Sequence, residues 1–526
     1  MGNTLASELT SSKWKKKEIV DLSAHEPRIE TIPQTVGGLR ACRELILAHN
    51  AITGVPAEIG KLQNLRKLDL QDNKLNSLPA QLGKCIKLEE LYLDKNVLFL
   101  KLLPKELGML VNLTTLSITE NQLNEVPEEL SNCVLLTHLN LEQNRLRTIP
   151  PEFGKLARLQ ELNLQNNEII ALPPEIGGMT SLRVLRLSYN RISQLPPDIQ
   201  HFKQMTTLYI AFNKLVSIPV EIAYMQLLKD LDIRENPELR QMPPLAYLRG
   251  LQRLLARNID VREIPAEIGY LGECLQLELS SNQVGQLPPT LGHLQKLRRL
   301  HIVKCALTAL PREIGYLANL EVLNASYNQL TAELIPPELG NCAKLTKLNL
   351  SHNLLVSLPP EIVNMGALED LNVSGNDLGS LPDEIGSLVS LTRLDISVNK
   401  LIRLPAVIGE LENLEVFMCK NNELMSLPPE VEGLVSLTKW DLSHNMLTQL
   451  PWEIGHLVQL QILDCSHNPL VIPPRAFINL GTGAILKWLR DNEKEGRKAT
   501  TSGLGLQESK GSRQKNAERD LDGKAQ

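Results

Sequence analysis

Side chains that could bind a metal or act as nucleophiles are spread along the chain and do not cluster. The eight Cys residues are Cys42, Cys85, Cys133, Cys274, Cys305, Cys342, Cys419 and Cys465, and no two form a C-x-x-C pair. Because disulfide frameworks and zinc sites need closely spaced cysteines, we interpret them as buried thiols in a reducing compartment. His49, His352, His444 and His467 each precede an Asn that recurs at a fixed spacing. This regularity indicates a structural repeat, and we predict no metal site.

The sequence also lacks the short motifs that position reactive groups in common enzymes. It contains no G-x-x-x-x-G-K-[ST] phosphate loop, no H-E-x-x-H metal helix and no G-x-S-x-G nucleophile turn. Carboxylates such as Asp395, Asp441 and Asp464 fall at equivalent positions of the same repeat. We therefore predict that the protein is not an enzyme and needs no cofactor.

Composition restricts the class of protein further. The 526 residues are 43% hydrophobic but only 3% aromatic, and the formal net charge is −5. A slightly acidic chain with few aromatic residues offers little to nucleic-acid phosphates or bases, so we expect no nucleic acid partner. The chain has no apolar run of about 18 residues, and residues 1–17 lack the apolar core of a secretory signal. We expect a cytoplasmic protein.

One pattern, L-x-x-L-x-L-x-x-N-x-L-x-x-L-P, recurs along most of the chain. Its Asn, here called the ladder Asn, occurs at Asn50, Asn73, Asn96, Asn121, Asn144, Asn167, Asn190, Asn213, Asn236, Asn282, Asn328, Asn353, Asn376, Asn399, Asn422, Asn445 and Asn468. Ile259 and Cys305 occupy two further positions of the grid, and 16 of its 18 intervals are 23 residues. The two intervals of 25 residues follow Asn96 and Asn328. Counting back from Asn50 predicts one more, degenerate repeat that ends near Pro33.

Each part of this pattern has a structural role. The L-x-L segment predicts a short strand with alternate side chains inward, and the Pro and Gly that follow predict a turn on the opposite side. Since one repeat cannot bury its own apolar face, the repeats must stack. We predict an α/β leucine-rich-repeat solenoid, or horseshoe, of about 20 repeats with a curved parallel sheet on its concave face.

The predicted boundaries follow from where the repeat begins and ends. We expect an N-terminal tail at 1–18, leucine-rich repeats at 19–474, a capping helix region at 475–498 and a disordered tail at 499–526. The helical pattern around 484–489 is explained most simply as a cap over the last strand. A helix that binds a partner is the alternative.

The 23-residue repeat with L-P-P-E-I, as at 358–362, resembles the intracellular Ras-group leucine-rich-repeat family. That family includes Ras–Raf scaffold proteins and relatives in plants and slime moulds. The layout from Met1-Gly2-Asn3 to 492–498 is similar to slime-mould members associated with cytoskeletal remodelling. The resemblance implies a scaffold that binds proteins and has no catalytic activity. Ile259 and Cys305 depart from the pattern.

A partner is expected on the concave face, at the positions six, four, two and one residues before each ladder Asn. Aromatic and basic residues are concentrated there in the middle repeats, and such residues are enriched at binding hot spots. The predicted protein-binding residues are Arg186, Tyr189, Tyr209, Phe212, Arg234, Arg253, Arg257, Arg299, His301 and Lys304. The early repeats are acidic there (Asp69, Glu90, Asp94, Glu120, Glu142 and Glu161), and the late ones small or acidic (Ser374, Asp395, Ser397, Asp441 and Ser443). The alternative is that Asp230, Asp232, Glu235 and Glu278 neutralise the basic residues and the face has no function.

The N-terminal residues suggest a membrane contact. They nearly fit the M-G-x-x-x-[ST] myristoylation signal, with Ala6 in place of Ser or Thr. One acyl chain binds membranes only marginally, and Lys13, Lys15, Lys16 and Lys17 could supply the second signal. We predict lipidation of Gly2 and peripheral association with the inner face of the plasma membrane; the alternative is an ordinary solvated tail.

These observations favour a signalling scaffold for a Ras-type small GTPase or its effectors, an identity that the family resemblance alone implies. A cytoskeletal or cell-polarity adaptor acting in actin remodelling is the first alternative. A regulatory subunit of a phosphatase is the second. Dependence of binding on the bound nucleotide would separate the first function from the other two.

Overall fold

Each repeat forms a three-residue strand followed by a short 3-10 helix. The computed structural model describes residues 12–98 and 103–501. The chain separates into two compact units, Met1–Asn328 and Gln329–Gln526. Gly2 and residues 502–526 lie outside the described residues, as do 99–102, which belong to the longer repeat after Asn96.

The described part of the first unit begins with helix α1 (Ser12–Lys15) and contains fourteen parallel strands. They are β1 (Ile19–Asp21), β2 (Glu44–Ile46), β3 (Lys67–Asp69), β4 (Glu90–Tyr92), β5 (Thr115–Ser117), β6 (His138–Asn140), β7 (Glu161–Asn163), β8 (Val184–Arg186), β9 (Thr207–Tyr209), β10 (Asp230–Asp232), β11 (Arg253–Leu255), β12 (Gln276–Glu278), β13 (Arg299–His301) and β14 (Val322–Asn324). Neighbouring strands pair in register, so that Ile19 faces Glu44 and Asp230 faces Arg253. The pairing of β1 confirms the degenerate first repeat.

The second unit continues the pattern with six strands among its described residues. They are β15 (Lys347–Asn349), β16 (Asp370–Asn372), β17 (Arg393–Asp395), β18 (Val416–Met418), β19 (Lys439–Asp441) and β20 (Ile462–Asp464). The parallel register again matches equivalent repeat positions, as between Asp370 and Arg393. The two units together therefore contain the predicted number of repeats.

After each strand from β1 to β19, the segment that was predicted as a turn forms a 3-10 helix. In the first unit these helices are Gln34–Gly38, Ala57–Lys61, Ala80–Lys84, Lys105–Met109, Glu128–Asn132, Pro151–Lys155, Pro174–Gly178, Pro197–His201, Val220–Tyr224, Leu245–Tyr247, Ala266–Tyr270, Pro289–His293 and Arg312–Tyr316. In the second unit they are Ala332–Leu334, Pro337–Asn341, Pro360–Asn364, Ile385–Ser387, Ala406–Glu410, Pro429–Gly433 and Trp452–His456. The helix Ala332–Leu334 is additional and lies in the longer repeat after Asn328.

Proline and glycine explain where these helices start and how closely they pack. A Pro precedes most of them in an extended conformation, as Pro56 does at φ −73° and ψ 154°, which suits its fixed φ. The helices of adjacent repeats approach closely, and a Cβ added at Gly83 would overlap the carbonyl oxygen of Glu106. Glycine is therefore required at this position by space.

The ladder Asn residues hold the repeats together inside the fold. The Nδ2 of Asn190 donates to the carbonyl oxygens of Leu164 (2.9 Å), Leu187 (3.0 Å) and Ser188 (3.4 Å), while its Oδ1 accepts the N–H of Ile169 (2.9 Å). One side chain thus satisfies backbone groups of two repeats, which confirms the predicted ladder. At the irregular positions, Ile259 and Cys305 are buried without this amide.

Two helices end the described chain, α2 (Arg475–Ile478) and α3 (Thr482–Thr501). Helix α3 buries Ile485, Leu486 and Leu489 against the last repeat. The N–H of Leu463 in β20 donates to Thr482 Oγ1 at 2.9 Å, so the helix supplies an acceptor for this edge strand. The helix extends to Thr501 and so includes three residues that the sequence analysis assigned to the tail. Within the described residues no helix is both long and apolar enough to cross a membrane.

Candidate protein-binding site

The exposed side of the strands carries all ten residues predicted to bind a partner. In β8 the central Leu185 is buried, whereas Val184 and Arg186 on either side are half-exposed. The central Leu is likewise buried in β9 to β13, and none of the ten predicted side chains is buried. In β10 and β11 the third residues, Asp232 and Leu255, are buried as well. We call the exposed side of β8 to β13, with the residue before each ladder position, the strand face.

The residue before each ladder position has a left-handed backbone. In the first unit φ lies between 50° and 59° at His49, Asp72, Lys95, Glu120, Gln143, Asn166, Tyr189, Phe212, Glu235, Asn258, Ser281, Lys304 and Tyr327. A positive φ is uncommon for residues other than glycine and most unusual for bulky ones. The repeat enforces it, since Tyr189 and Phe212 still donate their N–H groups to Ala211 (2.9 Å) and Arg234 (2.8 Å) of the next repeat. We call these residues the left-handed row.

Two aromatic members of this row stack on each other in solvent. The rings of Tyr189 and Phe212 are 4.2 Å apart between centroids and 8° from parallel. Both remain substantially exposed, at 51% and 39%. Large aromatic side chains held rigidly at a surface lose little entropy on binding and supply much contact area. The stack is therefore a suitable anchor for a partner.

Four of the predicted arginines are paired with carboxylates on the same face. Arg186 lies 3.5 Å from Glu161, Arg253 lies 2.7 Å from Asp230, and Arg257 lies 3.5 Å from Glu235. Arg234 makes a two-pronged contact with Asp232 at 2.9 and 2.8 Å, and these hydrogen bonds raise its pKa. Most of the basic charge that the sequence placed here is thus balanced locally.

Arg253 also links three strands. Its Nη2 donates to the Tyr209 hydroxyl at 3.0 Å, across the intervening strand that carries Asp230. Tyr209 and Arg253 are consequently held in place by each other. Reversing the charge of Arg253 would set two carboxylates side by side, so this residue stabilises the local structure as well as facing solvent.

The cations of the β13 repeat are different. No Asp or Glu among the described residues lies within ion-pair distance of Arg299, His301 or Lys304. The strand partners of Arg299 are the uncharged Gln276 and Val322. The Lys304 ammonium lies 5.2 Å from the ring centroid of Tyr327, an attractive but uncharged contact. Arg299 and Lys304 therefore offer positive charge that a partner can use.

A cavity of about 300 Å³ opens beside these cations, over β12 to β14. Its lining includes Arg257, His301 and Lys304 together with the carboxylate of Glu278. Ser281 and Asn324 add a hydroxyl and an amide. We call it the β12–β14 cavity; it is polar, small and directly on the strand face.

The acidic residues of the early repeats mostly form hydrogen bonds or ion pairs with other residues of the fold. Asp94 accepts the Ser117 hydroxyl and the Thr119 N–H, both at 2.6 Å. Asp69 is 8% exposed, and its burial raises the pKa of this carboxyl. These residues therefore act mainly as structural acceptors, a distinction that residue type alone does not make.

The cysteines are placed as buried thiols. All eight are free and buried, and burial raises the pKa of Cys85 to about 11 and that of Cys274 to about 12. Such thiols stay protonated at neutral pH and are poor nucleophiles. Among the residues that the structure describes, no three His, Cys, Asp or Glu side chains come together in a way that could hold a metal ion.

The lysines predicted to contact a membrane lie in and after α1. Lys13 and Lys15 belong to the helix, and Lys15, Lys16 and Lys17 are exposed. The Lys17 ammonium lies 4.5 Å from the Trp14 ring centroid. Gly2 lies outside the described residues, and membrane association stays a prediction.

Sequence reasoning missed a second group of exposed aromatic residues. Tyr224, Tyr247, Tyr270 and Tyr316 are all more than half exposed and lie at the ends of four 3-10 helices, away from the strands. Their positions repeat at intervals of 23 residues or a multiple of it, which a search of the whole repeat would have found. Tyr327, beside Lys304 in the left-handed row, was missed in the same way.

Comparisons with known proteins find leucine-rich repeats along most of this chain. Sequence profiles described as "Leucine rich repeat" match residues 40–98, 111–169, 343–401 and 459–480, and one described as "Leucine-rich repeat region" matches 151–254 and 232–354. A curated relative, the leucine-rich repeat protein lrrA of Dictyostelium discoideum, is 48% identical over 50 residues, which are 10% of this chain and 9% of that protein. The alignment thus spans less than a tenth of this relative.

Solved structures match over most of the chain. A leucine-rich-repeat protein of Leptospira interrogans is 31% identical with a TM-score of 0.63, over 81% of this chain and 96% of its own. The plant peptide hormone receptor RGFR1, solved in complex with RGF2, is 30% identical with a TM-score of 0.69, over 84% and 77% of the two chains. A TDR receptor, 24% identical with a TM-score of 0.64 over 84% of each chain, is similar in fold.

Proposed function

Because this chain belongs to the leucine-rich-repeat family, we propose that it is a non-catalytic scaffold that binds a protein partner on the strand face. The observation that carries this proposal is the exposed stack of Tyr189 and Phe212. Two aromatic rings held rigidly in solvent, on the same strand face as the unpaired cations Arg299 and Lys304, have the composition of a binding hot spot. The similarity to a plant receptor solved with a peptide hormone gives further support.

We propose in addition that the partner is a Ras-type small GTPase or one of its effectors. This finer identity is supported by the resemblance of the repeat to the Ras-group family. The unpaired charge of Arg299 and Lys304 suits a partner with an acidic surface, since complementary charge guides association and register.

The experiment is an affinity capture from cell lysate, run in parallel with a non-hydrolysable GTP analogue and with GDP. The wild-type protein is compared with the double variant Tyr189→Asn/Phe212→Asn and with Arg299→Glu. A small GTPase captured only in its GTP form and lost in both variants would support the proposal. Cytoskeletal proteins or a phosphatase catalytic subunit captured regardless of nucleotide would overturn the GTPase identity. Capture that is unchanged in both variants would overturn the strand face as the binding site.

A further inference from the structure

The β12–β14 cavity combines a defined volume with an unusual balance of charge. At about 300 Å³ it lies at the lower end of the range for ligand pockets, large enough for one or two side chains. Two permanent cations, Arg257 and Lys304, line it together with one carboxylate, Glu278. We propose that this cavity receives a single carboxylate side chain, Glu or Asp, from an acidic segment of the protein partner. The inference rests on the proposed function and names the chemistry of its partner.

The cations are available to an incoming group. Lys304 contacts the Tyr327 ring but has no acidic partner among the described residues. Arg257 is held by Glu235 at 3.5 Å, a long contact for a half-exposed side chain. A carboxylate entering between them would gain the charge of Lys304 and share that of Arg257 with Glu235, in a partly enclosed space where charge interactions exceed those in bulk water.

The position of Glu278 decides which anion fits. Glu278 is paired in register with His301 on the adjacent strand, so its carboxylate faces the same cavity as the cations. The permanent charges of the lining, those of Arg257, Lys304 and Glu278, therefore sum to one net positive charge. A carboxylate matches that charge, whereas a phosphate dianion would exceed it and be repelled by Glu278. Ser281 and Asn324 can donate hydrogen bonds to the bound oxygen atoms.

A polypeptide is the source that the surroundings favour. The cavity lies on the strand face, which continues to the Tyr189–Phe212 stack. An extended segment can cross these repeats with an apolar side chain against the rings and an acidic one in the cavity. This arrangement would fix the register of the partner on a surface whose repeats otherwise resemble each other.

The test uses the full chain and fluorescein-labelled hexaglutamate as the probe, with binding followed by fluorescence anisotropy at low salt. Lys304→Gln should weaken binding about tenfold, the loss expected for one charge-assisted contact. The matched control is Lys95→Gln, because Lys95 occupies the same position of the left-handed row, at φ 52° against 55°, but is paired with Glu120 at 3.6 Å. Glu278→Gln should tighten binding several-fold, a gain that an unfolded variant could not produce.

Three results would overturn the proposal. They are no saturable binding of hexaglutamate to the wild type, an equal loss in Lys304→Gln and Lys95→Gln, and tighter binding of a matched phosphoserine peptide than of hexaglutamate. The lysate capture is repeated with Lys304→Gln; if the captured partner depends on the Tyr189–Phe212 stack but not on Lys304, the cavity fails while the proposed function stands. If the captured partner depends on neither, the proposed function fails, and the hexaglutamate measurement still decides whether the cavity binds carboxylates.

Discussion

The rings of Tyr189 and Phe212 lie face to face on adjacent repeats, 4.2 Å apart, and both residues have a left-handed backbone. Neither feature favours folding by itself, since the rings are exposed and a positive φ is strained for aromatic residues. The repeat imposes the backbone through the hydrogen bonds on either side. The aromatic identities are therefore better explained by recognition than by stability.

Replacing Tyr189 and Phe212 by Asn should distinguish a role in partner recognition from a role in stability. Asn tolerates a left-handed backbone and already occupies the row at Asn166 and Asn258. We expect the free energy of unfolding to change by less than about 0.5 kcal/mol, because the loss of the stack is offset by relief of strain. Partner binding should weaken at least tenfold, measured by titration with the captured partner. Gln143→Asn, in the same row but away from the aromatic pair, is the control; equal binding by both variants would contradict the assignment.

Removing one ladder amide should destabilise the protein far more than altering an irregular ladder position. Asn190→Ala leaves the buried Ile169 N–H without its acceptor and removes one donor from the carbonyl groups of Leu164, Leu187 and Ser188, each of which keeps another donor. We expect a loss on the order of 3 kcal/mol, measured by urea denaturation. Cys305→Ala removes only a thiol that lies 3.2 Å from the Leu279 carbonyl oxygen and should cost about 1 kcal/mol. Similar losses in the two variants would show that the ladder contributes little.

Asp69→Asn should stabilise the protein at neutral pH. The Asp69 Oδ1 accepts the Gln71 N–H at 3.1 Å, and Asn163 makes the same bond to Gln165, so an amide can replace the carboxylate. Burial raises the pKa of Asp69, which means that its charged form is disfavoured in the folded state. The gain in the free energy of unfolding should be full at a pH above this raised pKa. It should vanish below about pH 3.9, where Asp69 is protonated in both the folded and the unfolded state of the wild type.

Thermal unfolding at pH 7 and at pH 3.5 measures this dependence. Asp395→Asn is the control, since the half-buried Asp395 accepts the Ser397 N–H at 3.0 Å in the same way. Its substitution should change the melting temperature less. A gain for Asp69→Asn that persists at pH 3.5 would mean that packing, and not charge, explains it.

Replacing either of two glycines of α3 by Ala should change the stability of this helix, in opposite directions at the two positions. A Cβ at Gly483 meets nothing within 4 Å, so Gly483→Ala should stabilise the helix by up to about 1 kcal/mol. A Cβ at Gly496 would overlap the ring of Trp452, which itself stacks with Trp488 at 5.7 Å. Gly496→Ala should therefore loosen α3, at a cost of about 1–3 kcal/mol. Hydrogen exchange of the α3 amides reports both changes, and protection retained in Gly496→Ala would contradict the role of this contact in capping.

The predicted lipid anchor gives a test in cells. Gly2→Ala removes the acceptor for myristate, and we expect the protein to move from the membrane fraction to the cytosol. Replacing Lys15, Lys16 and Lys17 by Gln should weaken membrane association in part, by roughly 1 kcal/mol for each lysine. Intact mass measurement of protein made in cells is the direct check, and the absence of an acyl group would refute the anchor.

The repeat structure could be predicted from the sequence because each recurring position of the pattern has one local structural role. The Leu spacing places the strands, the ladder Asn satisfies the backbone, and the insertion after Asn328 lies in the same repeat as the extra helix Ala332–Leu334. The 3-10 helices were not predicted, since Pro followed by a polar residue is as typical of an ordinary turn. The left-handed row was missed because Tyr, Phe and Glu give no sign of a positive φ.

Which residues lie on the strand face was predictable from the sequence, but which of their charges are paired was not. Which side chains reach the strand face follows from the spacing of the repeats. Whether the Arg253 guanidinium is free to contact a partner depends on its distances to Asp230 and Tyr209, and Tyr209 lies two repeats away. The contrast between the paired Arg253 and the unpaired Arg299 is a property of side-chain conformation, which spacing does not determine. The interspersed carboxylates therefore neutralise part of the face, as the alternative interpretation held, and leave the β13 cations.

The left-handed row has a practical consequence for engineering. Its backbone is the same whether the residue is Lys304, Glu235 or Phe212, so the conformation does not depend on the side chain it displays. The backbone at these positions is therefore equivalent, and a residue moved from one repeat to another would take the same left-handed φ. The row can thus serve as a set of equivalent grafting sites, in which an altered order of side chains changes the specificity of the scaffold without redesign of its core.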